Sequence, residues 1–162
     1  MKMMAKIYEL VSPSGATVAL VVLLLLSLGI SMALYAALVR RSERHTPFQT
    51  ASAIQVPFAA LLSTGVFALL FGPLFATTLQ GFYRVELLDD EVRLHYLFPA
   101  HTVTVSRLEL TDAERVPSHK GRWHLRLRTQ QGDTYQSSLA NDRAVLESWE
   151  GVHAYLENAD AP

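Results

Sequence analysis

The chain has 162 residues, half of them apolar, a formal net charge of −1 and no cysteine. That excludes disulfides, thiolate nucleophiles and cysteine-ligated zinc or iron–sulfur centres, and the length leaves room for one small domain beside any membrane segment. The near-neutral total conceals a division, because residues 1–79 carry five Lys or Arg against two Glu while 80–162 carry nine basic and thirteen acidic side chains. An acidic C-terminal half has the wrong sign for gripping nucleic acid, so no nucleic-acid partner is expected.

Residues 1–16 read as an N-terminal tail. Residues 17–39 and 56–79 then form two apolar stretches without a single Asp, Glu, Lys, Arg or His. Each reaches the roughly 20 residues that a helix needs to cross a hydrocarbon core of about 30 Å. The first is longer than a signal-peptide core and runs directly into Arg40 and Arg41, so it reads as an anchor, with 40–55 as an Arg-rich loop to the second helix. Gly72-Pro73 predicts a bend in that second helix. With no Asp, Glu, Lys, Arg or His in either span, the hairpin lacks the usual equipment of transport paths and proton relays.

Small residues recur at four-residue spacing in both spans: Gly29, Ala33 and Ala37 in the first, Ala60, Thr64, Ala68, Gly72 and Ala76 in the second. Such stripes let another backbone approach closely. Either the two stripes face each other inside the hairpin, or at least one faces helices of a partner.

From Phe82 the apolar period becomes two, which predicts a β hairpin turning at Asp89-Asp90. A third strand is expected over 101–110, with a bulge near Ser106 where the apolar phase slips. Residues 111–116 fit a strand or a turn. Residues 122–129 form a clear strand, with Trp123, Leu125 and Leu127 on one face and Arg122, His124, Arg126 and Arg128 on the other. Asn141 is a plausible N-cap for a closing amphipathic helix whose stripe is Val145, Trp149, Val152 and Leu156. The domain therefore covers 80–157, with 158–162 as a tail. The fold class expected is an α+β membrane protein: a two-helix transmembrane hairpin, then an antiparallel meander of five to seven strands capped by one helix.

Gly81-Phe82-Tyr83 leaving the second span, residues 91–98 with Pro99, residues 108–116 and residues 123–128 carry a resemblance. A curved antiparallel meander closed by a helix with a central Trp resembles the pleckstrin-homology-like (PH-like) domains of bacterial membrane proteins. The order of two membrane helices and then this domain is also similar to the photosystem I assembly protein family. The resemblance implies a PH-like β-barrel, a multi-pass protein of the bacterial inner membrane and a domain on the cytoplasmic side. By density of positive charge, Arg40, Arg41 and Arg44 instead place the loop in the cytoplasm. The acidic turn Asp89-Asp90-Glu91 departs from the basic loop with which headgroup-binding relatives hold lipid.

Function is accordingly expected to be non-enzymatic: an accessory subunit or assembly factor of a larger integral membrane complex, respiratory or photosynthetic if the resemblance holds. The small-residue stripes would pack on partner helices, and Arg122, His124, Arg126 and Arg128 would form a partner-docking face unless they are simply paired with neighbouring acids. The alternative is a tethered lipid-sensing or signalling PH-like module. The six histidines form no ligand motif, no glycine-rich phosphate loop or nucleophile elbow occurs, and no metal, cofactor or small-molecule substrate is expected.

Overall fold

The structure, a computed structural model, describes residues 5–45 and 52–157. The middle of the expected loop, 46–51, and the expected tail, 158–162, lie outside the described residues. The chain order is β1 (Lys6–Glu9), α1 (Pro13–His45), α2 (Ser52–Thr78), β2 (Phe82–Leu87), β3 (Glu91–Leu97), β4 (Ala100–Ser106), β5 (Leu110–Pro117), β6 (Arg122–Thr129), β7 (Thr134–Gln136), β8 (Ala140–Asn141) and α3 (Asp142–Glu157). It divides into two compact units, residues 18–75 and the remainder on either side.

The helical unit follows from composition, since long runs of Leu, Val and Ala bury no polar side chain that would compete for the backbone, and Leu and Ala are strong helix formers. Pro13 occupies the first helical position, where its missing N–H costs nothing, and the Ser12 hydroxyl accepts from the Gly15 N–H at 3.2 Å as a cap. α2 runs unbroken through Pro57 and Pro73. Both helices are long and apolar enough to cross a membrane, and only 11% and 6% of their most apolar windows are buried. A core helix of a soluble protein would be mostly covered.

The second unit differs from the expected domain in its first strand. Lys6–Glu9, read from the sequence as part of a tail, pairs antiparallel with β2, with Ile7 opposite Glu86 and Glu9 opposite Arg84. The domain is therefore discontinuous: β1 precedes the helical hairpin and β2 follows it. This pairing requires the start of α1 and the end of α2 to lie on the same side of any membrane they cross. Removing the first helix as a signal peptide would remove β1 with it.

Two antiparallel sheets result, one ordered β1-β2-β3-β4 and the other β5-β6-β7 with β8 beside β6. Neither closes into a barrel, and a parallel bridge from Phe82 of β2 to Ser137, between β7 and β8, links them. The bulge expected near Ser106 is instead a single helical turn over Arg107–Glu109 that carries the chain from the first sheet to the second. The slip in apolar phase marks this change of sheet, and Leu108 is left 79% exposed. Residues 111–116 are strand, within β5.

Phe82, Val85, Val92 and Leu94 of the first sheet meet Leu125 and Leu127 of the second and Val145 and Val152 of α3 in one core. Burying each such side chain is worth about 1.5–3 kcal/mol. α3 begins at the predicted cap, where the Asn141 side-chain oxygen accepts from the Ala144 N–H at 2.8 Å. Its central Trp149 donates its indole N–H to the Ala113 carbonyl at 2.7 Å, fixing the helix across β5. Its end is held by Arg107, which donates to the Tyr155 carbonyl and lies 4.3 Å from the centre of that ring.

Candidate functional site

The helical unit presents two kinds of surface. Along α1 the covered or partly covered positions include Leu23, Ser27, Ser31, Leu34 and Leu38; along α2 they include Ala59, Ser63, Val66 and Leu70. Ser31 and Ser63 line one cleft together, and we place the seam between the helices on this side. The predicted stripe residues Gly29, Ala33, Ala37, Ala60, Thr64, Ala68, Gly72 and Ala76 are all exposed. A Cβ added at Gly29 or Gly72 would meet nothing within 4 Å. The stripes therefore do not face each other.

Helical geometry explains this outcome. Two positions along a helix are about 200° apart, so Gly29 sits opposite Ser27 and Ser31. Four positions advance about 400°, so a strict four-residue repeat drifts about 40° per step. The α2 series therefore begins beside the seam, with Thr64 in the cleft, and winds away from it. Exposed Leu25, Leu26, Ile30 and Met32 surround Gly29, which makes the α1 stripe a notch in an apolar surface.

The chain leaving α2 is tightly held. A Cβ at Gly81 would fall 2.2 Å from the Ser137 carbonyl carbon, so only glycine fits against that backbone. The Ser138 hydroxyl donates to the Gly81 carbonyl at 2.8 Å, the Ser138 N–H to the Phe82 carbonyl at 2.8 Å, and the Leu139 N–H to the Thr78 carbonyl at 3.2 Å. The end of α2 and the residues after it thus find partners for their carbonyls in the break between β7 and β8. Ser137 and Ser138 are buried, and nothing in their local sequence marks them for this role.

The expected basic face is smaller than the strand pattern predicts. His124 is 6% exposed, with Nδ1 2.8 Å from the Ser137 carbonyl. Arg122 and Arg128 are exposed and Arg126 is half-buried. Glu114 on β5 sits 2.9 Å from Arg128 and 3.6 Å from Arg126, and Asp112 is opposite Arg128 in register. Glu114 therefore pairs with two of the three arginines within their own sheet.

Two further clusters carry polar chemistry. On the outer face of the first sheet, His95 Nε2 lies 3.2 Å from Glu86 and Nδ1 lies 3.1 Å from the Thr102 hydroxyl. Thr102 is exposed on the edge strand β4, and this row ties the edge to the sheet. Near the end of α2, Ala76, Gln80, Tyr96, Tyr135 and Gln136 line a polar recess of about 340 Å³. Burial first, and then the neighbouring Tyr135, push the Tyr96 phenol up to about 12. Among the described residues, no group of three or more His, Asp or Glu side chains could hold a metal ion.

Comparison with protein-family models and with curated proteins gives no match to this chain.

Proposed function

We infer that the chain is a non-catalytic, membrane-anchored interaction protein, an accessory subunit or assembly factor of a larger integral membrane complex. The observation that carries this reading is the division of labour in the helical unit. Ser27, Ser31, Ala59 and Ser63 form the seam, while Gly29, Ala33, Ala68 and Gly72 remain uncovered in a bare apolar surface. In a bilayer, apolar side chains gain nothing from leaving lipid, so helix association depends on close packing at small residues. Unused small residues on the outer faces are what a third helix would pack against.

The domain supports the same reading by holding both ends of the hairpin. β1 and β2 pair directly, and Gly81 seats the exit of α2 against Ser137. The pairing of Arg126 and Arg128 with Glu114 weakens the positive field of that sheet, which weighs against the lipid-sensing alternative. The membrane is proposed to be the bacterial inner membrane, with the domain in the cytoplasm.

Affinity purification of the full chain in a mild detergent tests this. It is expected to recover a much larger membrane complex, and Gly29→Leu or Gly72→Leu is expected to weaken that recovery. Wild-type chain recovered only as a free monomer or homodimer would contradict the proposal.

A further inference from the structure

Between α1 and α2 lies a cleft of about 290 Å³ lined by Leu28, Ser31, Met32, Tyr35, Ser63, Thr64 and Phe67. Ser31 is only 5% exposed, and its hydroxyl has no hydrogen-bond partner. A buried hydroxyl left unpaired is costly, and in hydrocarbon no water is available to satisfy it. Ser63 differs, since it already donates to the Ala60 carbonyl at 3.0 Å.

Depth restricts what can enter. The candidate spans Pro13–Arg41 and Val56–Thr78 have their midpoints at Ser27 and Phe67. Ser31 and Ser63 are each four residues away, about 6 Å along the axis. That is well inside the roughly 15 Å half-thickness of the hydrocarbon, beyond the reach of phospholipid headgroups. No lining side chain is charged, so the occupant is neutral.

The aromatic residues select its shape. Phe75, Phe71 and Phe67 form a ladder up α2, with centroid spacings of 5.6 and 5.4 Å and interplanar angles of 16° and 7°. The next level of that ladder is occupied only by the small residues Ser63 and Thr64, and the cleft opens there. A flat ring seated on them would be the fourth member of the stack, with the Ser31 hydroxyl and the Tyr35 phenol available as donors.

From this combination we propose that the cleft binds a lipid-phase flat ring bearing carbonyl acceptors, of the membrane quinone class. An acyl chain offers no acceptor for Ser31. A partner's helix would leave the aromatic ladder unextended. The proposal rests on the hairpin lying in a bilayer, and it is independent of which complex the outer stripes contact.

The test uses full-length protein in lipid nanodiscs and a short-tailed photoreactive azidobenzoquinone, with labelled peptides mapped by mass spectrometry. Stable incorporation reports the membrane reading separately; failure to incorporate would remove the basis of this proposal as well. Labelling is expected to concentrate on residues 28–35 and 63–67 and to be displaced by decylubiquinone but not by decylbenzene. Ser31→Ala is expected to weaken apparent affinity roughly three- to tenfold, the worth of one neutral hydrogen bond. Thr64→Leu, which fills the cleft, is expected to abolish labelling while domain tryptophan fluorescence stays unchanged. Undiminished affinity in Ser31→Ala, equal displacement by decylbenzene, or labelling spread over the outer helix faces would overturn the proposal.

Discussion

The ring of Tyr8, in the strand before the hairpin, lies directly against the backbone of Gly151 in the last helix; a Cβ at 151 would fall 2.2 Å from the ring. This contact ties residues on opposite sides of the hairpin into one domain. Alanine at 151 would by itself gain about 1 kcal/mol of helix propensity over glycine. Here it must displace the Tyr8 ring. The two effects oppose each other, so the informative quantity is their coupling. Gly151→Ala is expected to be neutral or destabilising in the wild-type chain and stabilising in a Tyr8→Ala background, with a coupling of about 1 kcal/mol in denaturant melts. Additive effects of the two changes would count against the contact.

The pairing of β1 with β2 also fixes a topological relation. Because the chain has no native cysteine, single cysteines can be introduced without a background signal. Ala5→Cys and Gln131→Cys should react with a membrane-impermeant maleimide from the same side of sealed vesicles, and Arg41→Cys from the opposite side. Opposite accessibility of positions 5 and 131 would be incompatible with strand β1 as described.

Glu114 sits between Arg126 and Arg128, so its removal should unmask their charge. Detergent-solubilised Glu114→Gln is expected to elute from heparin at higher salt than wild type, and adding Arg126→Gln should reverse part of the shift. The stability cost should stay below about 1 kcal/mol, as for other exposed ion pairs. Unchanged elution would mean that Glu114 does not control the field of this strand face.

Tyr96 gives the domain a signature at alkaline pH. Its pKa is pushed up to about 12 from 10.0, chiefly by burial and next by Tyr135. A raised folded-state pKa means that this group's contribution is complete below pH 10 and is lost as pH rises from 10 through about 12, because the unfolded chain ionises first. Absorbance titration at phenolate wavelengths should show a late-ionising tyrosine that disappears in Tyr96→Phe. That variant should also lose stability less steeply across the same pH window.

The parts of the fold that were legible are those with strong periodicity. Two uncharged apolar runs predicted two helices, alternation from Phe82 predicted strands, and Asn141 predicted the start of α3. β1 was not legible because four residues, Lys6 to Glu9, contain too little alternation to register, and their partner strand lies beyond the hairpin. His124 follows the polar phase of its strand, yet the break between β7 and β8 at Ser137 folds over it and supplies its hydrogen bond. The arginines were visible as a stripe, but Glu114 belongs to a strand that only the fold brings alongside. Small-residue spacing marked surfaces open to close approach without saying what approaches them, and in α1 the covered side fell to Ser27 and Ser31, each two positions from Gly29.

Site-specific photo-crosslinking in intact membranes separates the outer faces of the hairpin from its seam. A photoreactive residue at stripe positions Ala33 or Ala68 is expected to give adducts with another membrane protein, whereas seam positions Ser27 or Val66 should give crosslinks within the chain itself. Stripe positions that yield only lipid or intramolecular adducts would contradict the claim that the outer faces of this hairpin are its binding surface.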